Sequence, residues 1–270
     1  MTSISAALLD LKRLDQLAFG TTFLHRLDAR AKVLATLFFI VCVVSFDRYQ
    51  ISALIPFIIF PTFLIVVGEL PAKYLLAKVA LVLPFAIAVG ICNPFFDREV
   101  LLQVGALKLT GGWLSFASIV LRTGLTVTAV FSLTALTGFP AVCSALKRLG
   151  MPRPFALQLL FLYRYLFVLA EEGARAAKAR ELRCFGRKGA GLKSYASLIG
   201  HLLLRTWHRA ERLHMAMLAR GFSGAFPEPV KKRVRVADLA FLSLWVSLCI
   251  ALRLTNVAGS VGALFTGSLP

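Results

Sequence analysis

Two arginines sit near the ends of a basic stretch with small or modest neighbours, in Leu182-Arg183-Cys184 and Ala219-Arg220-Gly221. Arginine offers a rigid fork of donors that fits carboxylates and the carbonyls at helix ends. Small neighbours such as Ala219 and Gly221 let a second backbone come close to the guanidinium. The chemistry suited to such a pair is docking in acidic grooves of a partner rather than bond-making. Arg180 precedes Arg183 by three residues and Arg187 follows it by four, so on a helix the three share one face. Spacing alone suits arginines that face lipid headgroups equally well.

Other constellations offer less. His201 and His208 are seven residues apart, a poor chelating spacing, and no carboxylate or thiol cluster joins them or His25 and His214. No metal site and no cofactor are expected. No Gly-x-x-x-x-Gly-Lys-Ser/Thr loop is present, so ATP hydrolysis by this chain is not expected. Glu171-Glu172 are adjacent acids, but a helix-surface role suits them better than acid–base work. The cysteines, Cys42, Cys92, Cys143, Cys184 and Cys249, are scattered and read as packed thiols. Arg122 lies inside an apolar run. It is a functional candidate by default, or a structural arginine paired with carbonyls or snorkelling outward.

The elements that must position these residues are membrane helices. The 270 residues are 58% hydrophobic and only 16% charged. Apolar runs span residues 31–46, 51–68, 75–92, 113–138 and 237–254. Each approaches the roughly 20 residues that cross a bilayer. The fold class is therefore all-α, a polytopic helical membrane protein with about five transmembrane helices. Pro56 and Pro61 should bend the second run, and residues 93–112 read as a loop. Residues 1–30 suit an interfacial helix or a packed surface helix.

Charge sets the topology. The chain carries a net +18, and residues 139–236 hold 19 Lys or Arg against 5 Asp or Glu. In a membrane chain this balance reads as positive-inside topology and attraction to anionic lipid, with no nucleic-acid partner. Four crossings return the chain to the cytoplasm at residue 139. Residues 155–170 are apolar but contain Arg164, and a crossing there would export the basic block. They should dip into the membrane or lie along it. Three regions result: 1–138 with four spans, 139–236 as a cytoplasmic or interfacial domain of basic helices, and 237–270 with the last span. Within the middle region, residues 155–185 and 192–221 read as two long helices. The N-terminus is expected in the cytoplasm, and the protein in the inner, or cytoplasmic, membrane.

Several stretches carry a family resemblance: residues 25–32 (His-Arg-Leu-Asp-Ala-Arg-Ala-Lys), 146–152 (Leu-Lys-Arg-Leu-Gly-Met-Pro), Tyr163-Arg164-Tyr165, Glu171-Glu172, and 216–222 (Ala-Met-Leu-Ala-Arg-Gly-Phe). The chain resembles the transmembrane coupling subunit of energy-coupling-factor transporters, most of all the CbiQ branch associated with cobalt uptake. The resemblance implies two Ala-Arg-Gly-like motifs that end coupling helices and dock on two ATP-binding-cassette ATPase subunits. The second is Ala219-Arg220-Gly221. The first aligns with Leu182-Arg183-Cys184, which keeps only the arginine and leaves Arg180 as an alternative. It also implies a separate substrate-binding membrane subunit, for which Arg122 is a candidate contact, and a substrate that is cobalt, with nickel or a vitamin as neighbours. A conventional permease with its own substrate path and a membrane-embedded transferase are the competing readings.

Overall fold

The computed structural model describes residues 13–47, 51–96, 100–104, 107–183, 192–224 and 234–254. In chain order the elements are α1 (Phe23–Arg26), α2 (Ala29–Val44), a 3₁₀ segment (Ser52–Ile58), α3 (Ile59–Val67), α4 (Ala72–Gly90) and α5 (Asn93–Phe96). A hairpin of β1 (Val100–Val104) and β2 (Leu107–Thr110) follows, then α6 (Gly111–Thr137), α7 (Phe139–Arg148), α8 (Arg153–Arg183), α9 (Leu192–Ala219) and α10 (Val236–Leu254). The architecture is that of an all-α polytopic membrane protein. Among the described residues α4, α6, α8 and α10 are long and apolar enough to cross a membrane, and Ser52–Val67 is a shorter apolar element. The chain divides into two compact units, Gln16–Gly138 with Lys232–Pro270, and Met1–Asp15 with Phe139–Lys231.

In the first unit the prolines act as their chemistry requires. Pro56 lies in the 3₁₀ segment, and the chain becomes α-helical only at Ile59. Pro61 has no N–H for the carbonyl four residues back, which disfavours α geometry just before it. The described part of residues 93–112 is not a plain loop. They hold α5 and the antiparallel β1–β2 pair, with Val104 opposite Leu107 and Val100 opposite Thr110.

The interior of this unit is aromatic on one side and small on the other. Phe39 stacks on Phe60 at 4.5 Å, and Phe60 meets Trp245 edge-on at 4.8 Å. On α6 the buried positions include Ser115, Ser118, Ala129, Ser132 and Ala135, so neighbouring backbones come close, as membrane helices favour. Gly90 of α4 lies where a Cβ would stand 2.9 Å from the Phe116 ring, and one on Gly68 would meet Leu136 at 2.6 Å. Larger residues at either glycine would push the helices apart.

Polar groups pin both ends of the bundle. At one end the buried Asp238 carboxylate accepts the Asp28 N–H at 2.8 Å and the Arg235 N–H at 2.7 Å. These donors are the capping backbone groups of α2 and α10, so one carboxylate serves two helix N-termini. Asp28 in turn accepts from Arg30 N–H and caps α2. Lys32, 4% exposed, donates to the Leu136 carbonyl at the C-terminal end of α6. At the other end Arg253 donates to the Ser45 carbonyl and lies over the Phe46 ring, while Arg122 donates to the Asp47 carbonyl. Hence α2 and α10 run parallel and α6 runs against them.

Candidate coupling-helix docking site

The second unit is dominated by α8 and α9, of 31 and 28 residues, roughly 46 and 42 Å long at 1.5 Å per residue. Apart from Pro154 in the first turn of α8 neither contains a proline, and α8 runs uninterrupted through Gly173. Glu172, its side chain only 15% exposed, takes Arg205 on one oxygen and Arg209 on the other, each at 3.3 Å. A Cβ on Gly173 would lie 3.6 Å from a Leu202 methyl carbon. The helices therefore cross at Glu172–Gly173, held by one carboxylate shared between two guanidiniums.

The crossing opens on both sides. On one side residues 172–183 of α8 face residues 197–205 of α9 across a groove of about 760 Å³ lined by Arg175, Arg180, Arg183, His201 and Arg205. On the other, residues 158–169 face residues 203–217 across an apolar trough of about 560 Å³ that includes Phe161, Leu166, Trp207 and Met217. Pairing rising numbers on α8 with falling numbers on α9 makes the helices antiparallel at the crossing.

Arg220 and Gly221 form a helix cap. The Phe222 N–H donates to the Met217 carbonyl at 3.0 Å, and the Gly221 N–H to the Leu218 carbonyl at 2.9 Å. Gly221 has φ +75°, the left-handed turn that ends such a helix and that residues with a Cβ resist. Ala219 is the last helical residue. This geometry turns the chain away directly behind the exposed Arg220 and leaves it at the tip of α9. The same pattern ends α7, where the Met151 N–H donates to Leu146 around Gly150 at φ +113°.

Arg183 is the last described residue of α8 and is exposed. Arg180, one turn earlier and half-buried, lines the basic groove with it. Arg187, Cys184 and the glycine-bearing stretch 186–191 lie outside the described residues, as do residues 1–12, the basic residues 231–233 and the tail from 255. Measured along the helices, Arg183 stands about 16 Å from the crossing on one side and Arg220 about 22 Å on the other. The fold thus separates the two motifs while keeping both at helix C-termini, where the dipole favours cations. Arg122 belongs to the other unit. It is half-buried, and its Nη2 donates to Asp47.

Sequence reasoning did not find the clamp. Glu172 was legible only as one of two adjacent acids. Nor did it find Asp238, a single acid early in an apolar span, a position that should itself have drawn notice. Among the described residues no group of His, Cys, Asp or Glu is arranged to hold a metal.

A family model described as CbiQ, cobalt transport protein, matches residues 20–232. Similar proteins include three named energy-coupling factor transporter transmembrane protein EcfT. The one from Exiguobacterium sibiricum is 30% identical over 76% of this chain and 83% of its own length. The one from Heliobacterium modesticaldum is 30% identical over 74% and 80%, and that from Bacillus subtilis 26% identical over 76% and 82%.

Proposed function

The chain belongs to the CbiQ family of cobalt transport proteins, and from that membership and the α8–α9 geometry we propose that it is the energy-coupling subunit of an importer. In this reading it carries no catalytic site. Two ATPase subunits hydrolyse ATP, and Arg183 and Arg220 dock in an acidic groove on each. Arg180 supports Arg183 from one turn back. Movement of the ATPases shifts α8 and α9 about their crossing and so displaces a separate membrane subunit that holds the substrate. The substrate is cobalt, supported by the description of the matched family. Charge supports a five-span topology with the N-terminus and residues 139–236 in the cytoplasm.

One observation carries the proposal: two long helices, clamped where they cross, present exposed arginines at C-terminal ends on opposite sides of the clamp. Such a part transmits displacement, and its two tips reach two partners. The test is pull-down of the ATPase pair together with cobalt uptake in cells at matched expression. Truncating an arginine that pairs with a buried acid typically costs about 2–5 kcal/mol. Arg183→Ala and Arg220→Ala should each weaken ATPase capture and cut uptake, and the double variant should abolish both. Lysine should rescue only in part, since it keeps the charge without the fork. A double alanine variant that captures ATPase and transports normally would refute the reading.

A further inference from the structure

The chain passes between its two compact units at three places, Asp15–Gln16, Gly138–Phe139 and Lys231–Lys232. The third lies outside the described residues, and the other two meet one side chain of α8. Tyr163, half-buried, stacks its ring on Phe139 with centroids 4.9 Å apart. Its hydroxyl is hydrogen-bonded to the Asp15 carboxylate. Phe167, one turn along α8, meets the same ring edge-on at 5.1 Å. A phenol O–H on a carboxylate is a charge-assisted bond, stronger than a neutral one. A stacked aromatic pair adds to what burial alone supplies.

Both passages are firm where they leave Tyr163. At the first, residues 13–17 are helical, and Leu14 beside Asp15 is 8% exposed. The chain then runs through α1 to Asp28, the cap of α2, and His25 fastens the stretch between by bonding to the Leu17 carbonyl. At the second, α6 ends at Thr137 and α7 begins at Phe139. Gly138 alone lies between them, at φ +75° with its N–H on the Thr134 carbonyl. The ring that Tyr163 grips is thus one residue from the end of α6.

We infer that Tyr163 is the joint through which displacement of α8 enters the unit that holds α2 and α6. It draws on α6 through Phe139 and on α2 through Asp15. The inference rests on the coupling reading of α8 and α9, and makes Tyr163 and Asp15 positioning residues within it. Tyrosine suits the role because its face and its hydroxyl engage two passages at once. Phenylalanine keeps the face alone, and leucine keeps neither.

The test uses the chain in complex with its ATPase pair and substrate-binding subunit, reconstituted in vesicles, and reads ATP hydrolysis and cobalt uptake together. Tyr163→Phe should leave ATPase capture and ATP hydrolysis unchanged and shift melting temperature little, while uptake falls by roughly tenfold, the factor of one charge-assisted bond. Asp15→Ala should match it, and the double variant should be no worse than either, because both changes remove the same bond. Asp15→Asn keeps an acceptor oxygen and should recover most of the uptake. Tyr163→Leu also releases Phe139 and should uncouple further. Normal uptake by Tyr163→Phe would overturn the inference. So would hydrolysis that falls in step with uptake, as it would for a merely structural residue, or loss of ATPase capture, which would move Tyr163 to the docking interface. Normal uptake by Tyr163→Phe beside lost capture in Arg183→Ala/Arg220→Ala would remove the joint and leave the coupling reading standing.

Discussion

At the residue scale, the glycine of the second arginine motif explains itself. Gly221 has φ +75° and nothing within 4 Å of where a Cβ would stand, so substitution there strains the backbone rather than crowding a neighbour. Left-handed geometry costs a residue with a Cβ about 1–2 kcal/mol. Gly221→Ala should therefore lower stability only modestly yet misdirect Arg220, and ATPase capture should fall more than melting temperature does. Gly221→Asn, which tolerates the left-handed region, should recover most of the capture. Equal capture by the alanine variant and the unmodified chain would show that the cap does not aim Arg220. His25 offers a pH test. It sits before α2, with Nε2 bonded to the Leu17 carbonyl at 3.0 Å and Nδ1 accepting from Thr22, an arrangement suited to the neutral ring. Burial lowers its pKa below the ordinary 6.5, with Lys32 adding to the effect. The unfolded chain then binds the extra proton first as pH falls, so the stabilisation is full above 6.5 and is lost with acidification. Melting curves between about pH 7 and pH 5 should show the unmodified chain losing stability relative to His25→Gln. Parallel curves for the two would remove His25 from the account.

At the element scale, much of the fold was readable in advance. The α8 and α9 ranges follow from an unbroken helical pattern bounded by Pro152 and Pro154 at the start of α8 and by Gly221 at the end of α9. The five apolar runs recur as α2, Ser52–Val67, α4, α6 and α10. What escaped reading depends on pairing between distant residues. The β1–β2 hairpin did leave a trace in the alternation of Leu107, Lys108 and Leu109, but two strands this short compete poorly with a loop reading. The crossing at Glu172 left none, because nothing along the chain ties residue 172 to residues 205 and 209. The clamp invites its own prediction. Arg205 is 73% exposed and Arg209 42%, and exposed ion pairs contribute only about 0–1 kcal/mol. Glu172→Gln should thus leave melting temperature nearly unchanged. If α8 and α9 move as a clamped pair, uptake should nevertheless fall by severalfold while ATPase capture persists. Normal uptake by Glu172→Gln would mean that the clamp does not serve coupling.

At the scale of the whole molecule, the unit that holds α2, α4, α6 and α10 is pinned at its two polar ends rather than by charge within its core. The end at Asp238 was hidden from sequence reasoning because 210 residues separate it from Asp28. Its carboxylate is 3% exposed and accepts the capping N–H groups of α2 and α10, so removing it orphans two donors at once. Hydrogen bonds to a charged group are each worth about 1.5–3 kcal/mol, and an orphaned buried donor adds its own desolvation cost. The opposite end is held by Arg253 on Ser45 and Arg122 on Asp47, both more exposed. The two ends should therefore fail differently. Asp238→Ala should lower stability by at least about 2 kcal/mol and loosen α10 from α2, with Asp238→Asn between it and the unmodified chain. Arg122→Leu removes a single exposed bond from a charged donor to a carbonyl and should cost no more than about 1.5–3 kcal/mol, without orphaning buried donors. Its effect on capture of the substrate-binding subunit then reports what the guanidinium does beyond holding Asp47. Denaturation in matched detergent, together with pull-down of that subunit, measures both. If Arg122→Leu proved more destabilising than Asp238→Ala, the bundle would be held chiefly at the Arg122 end, and the joint at Asp238 would be secondary.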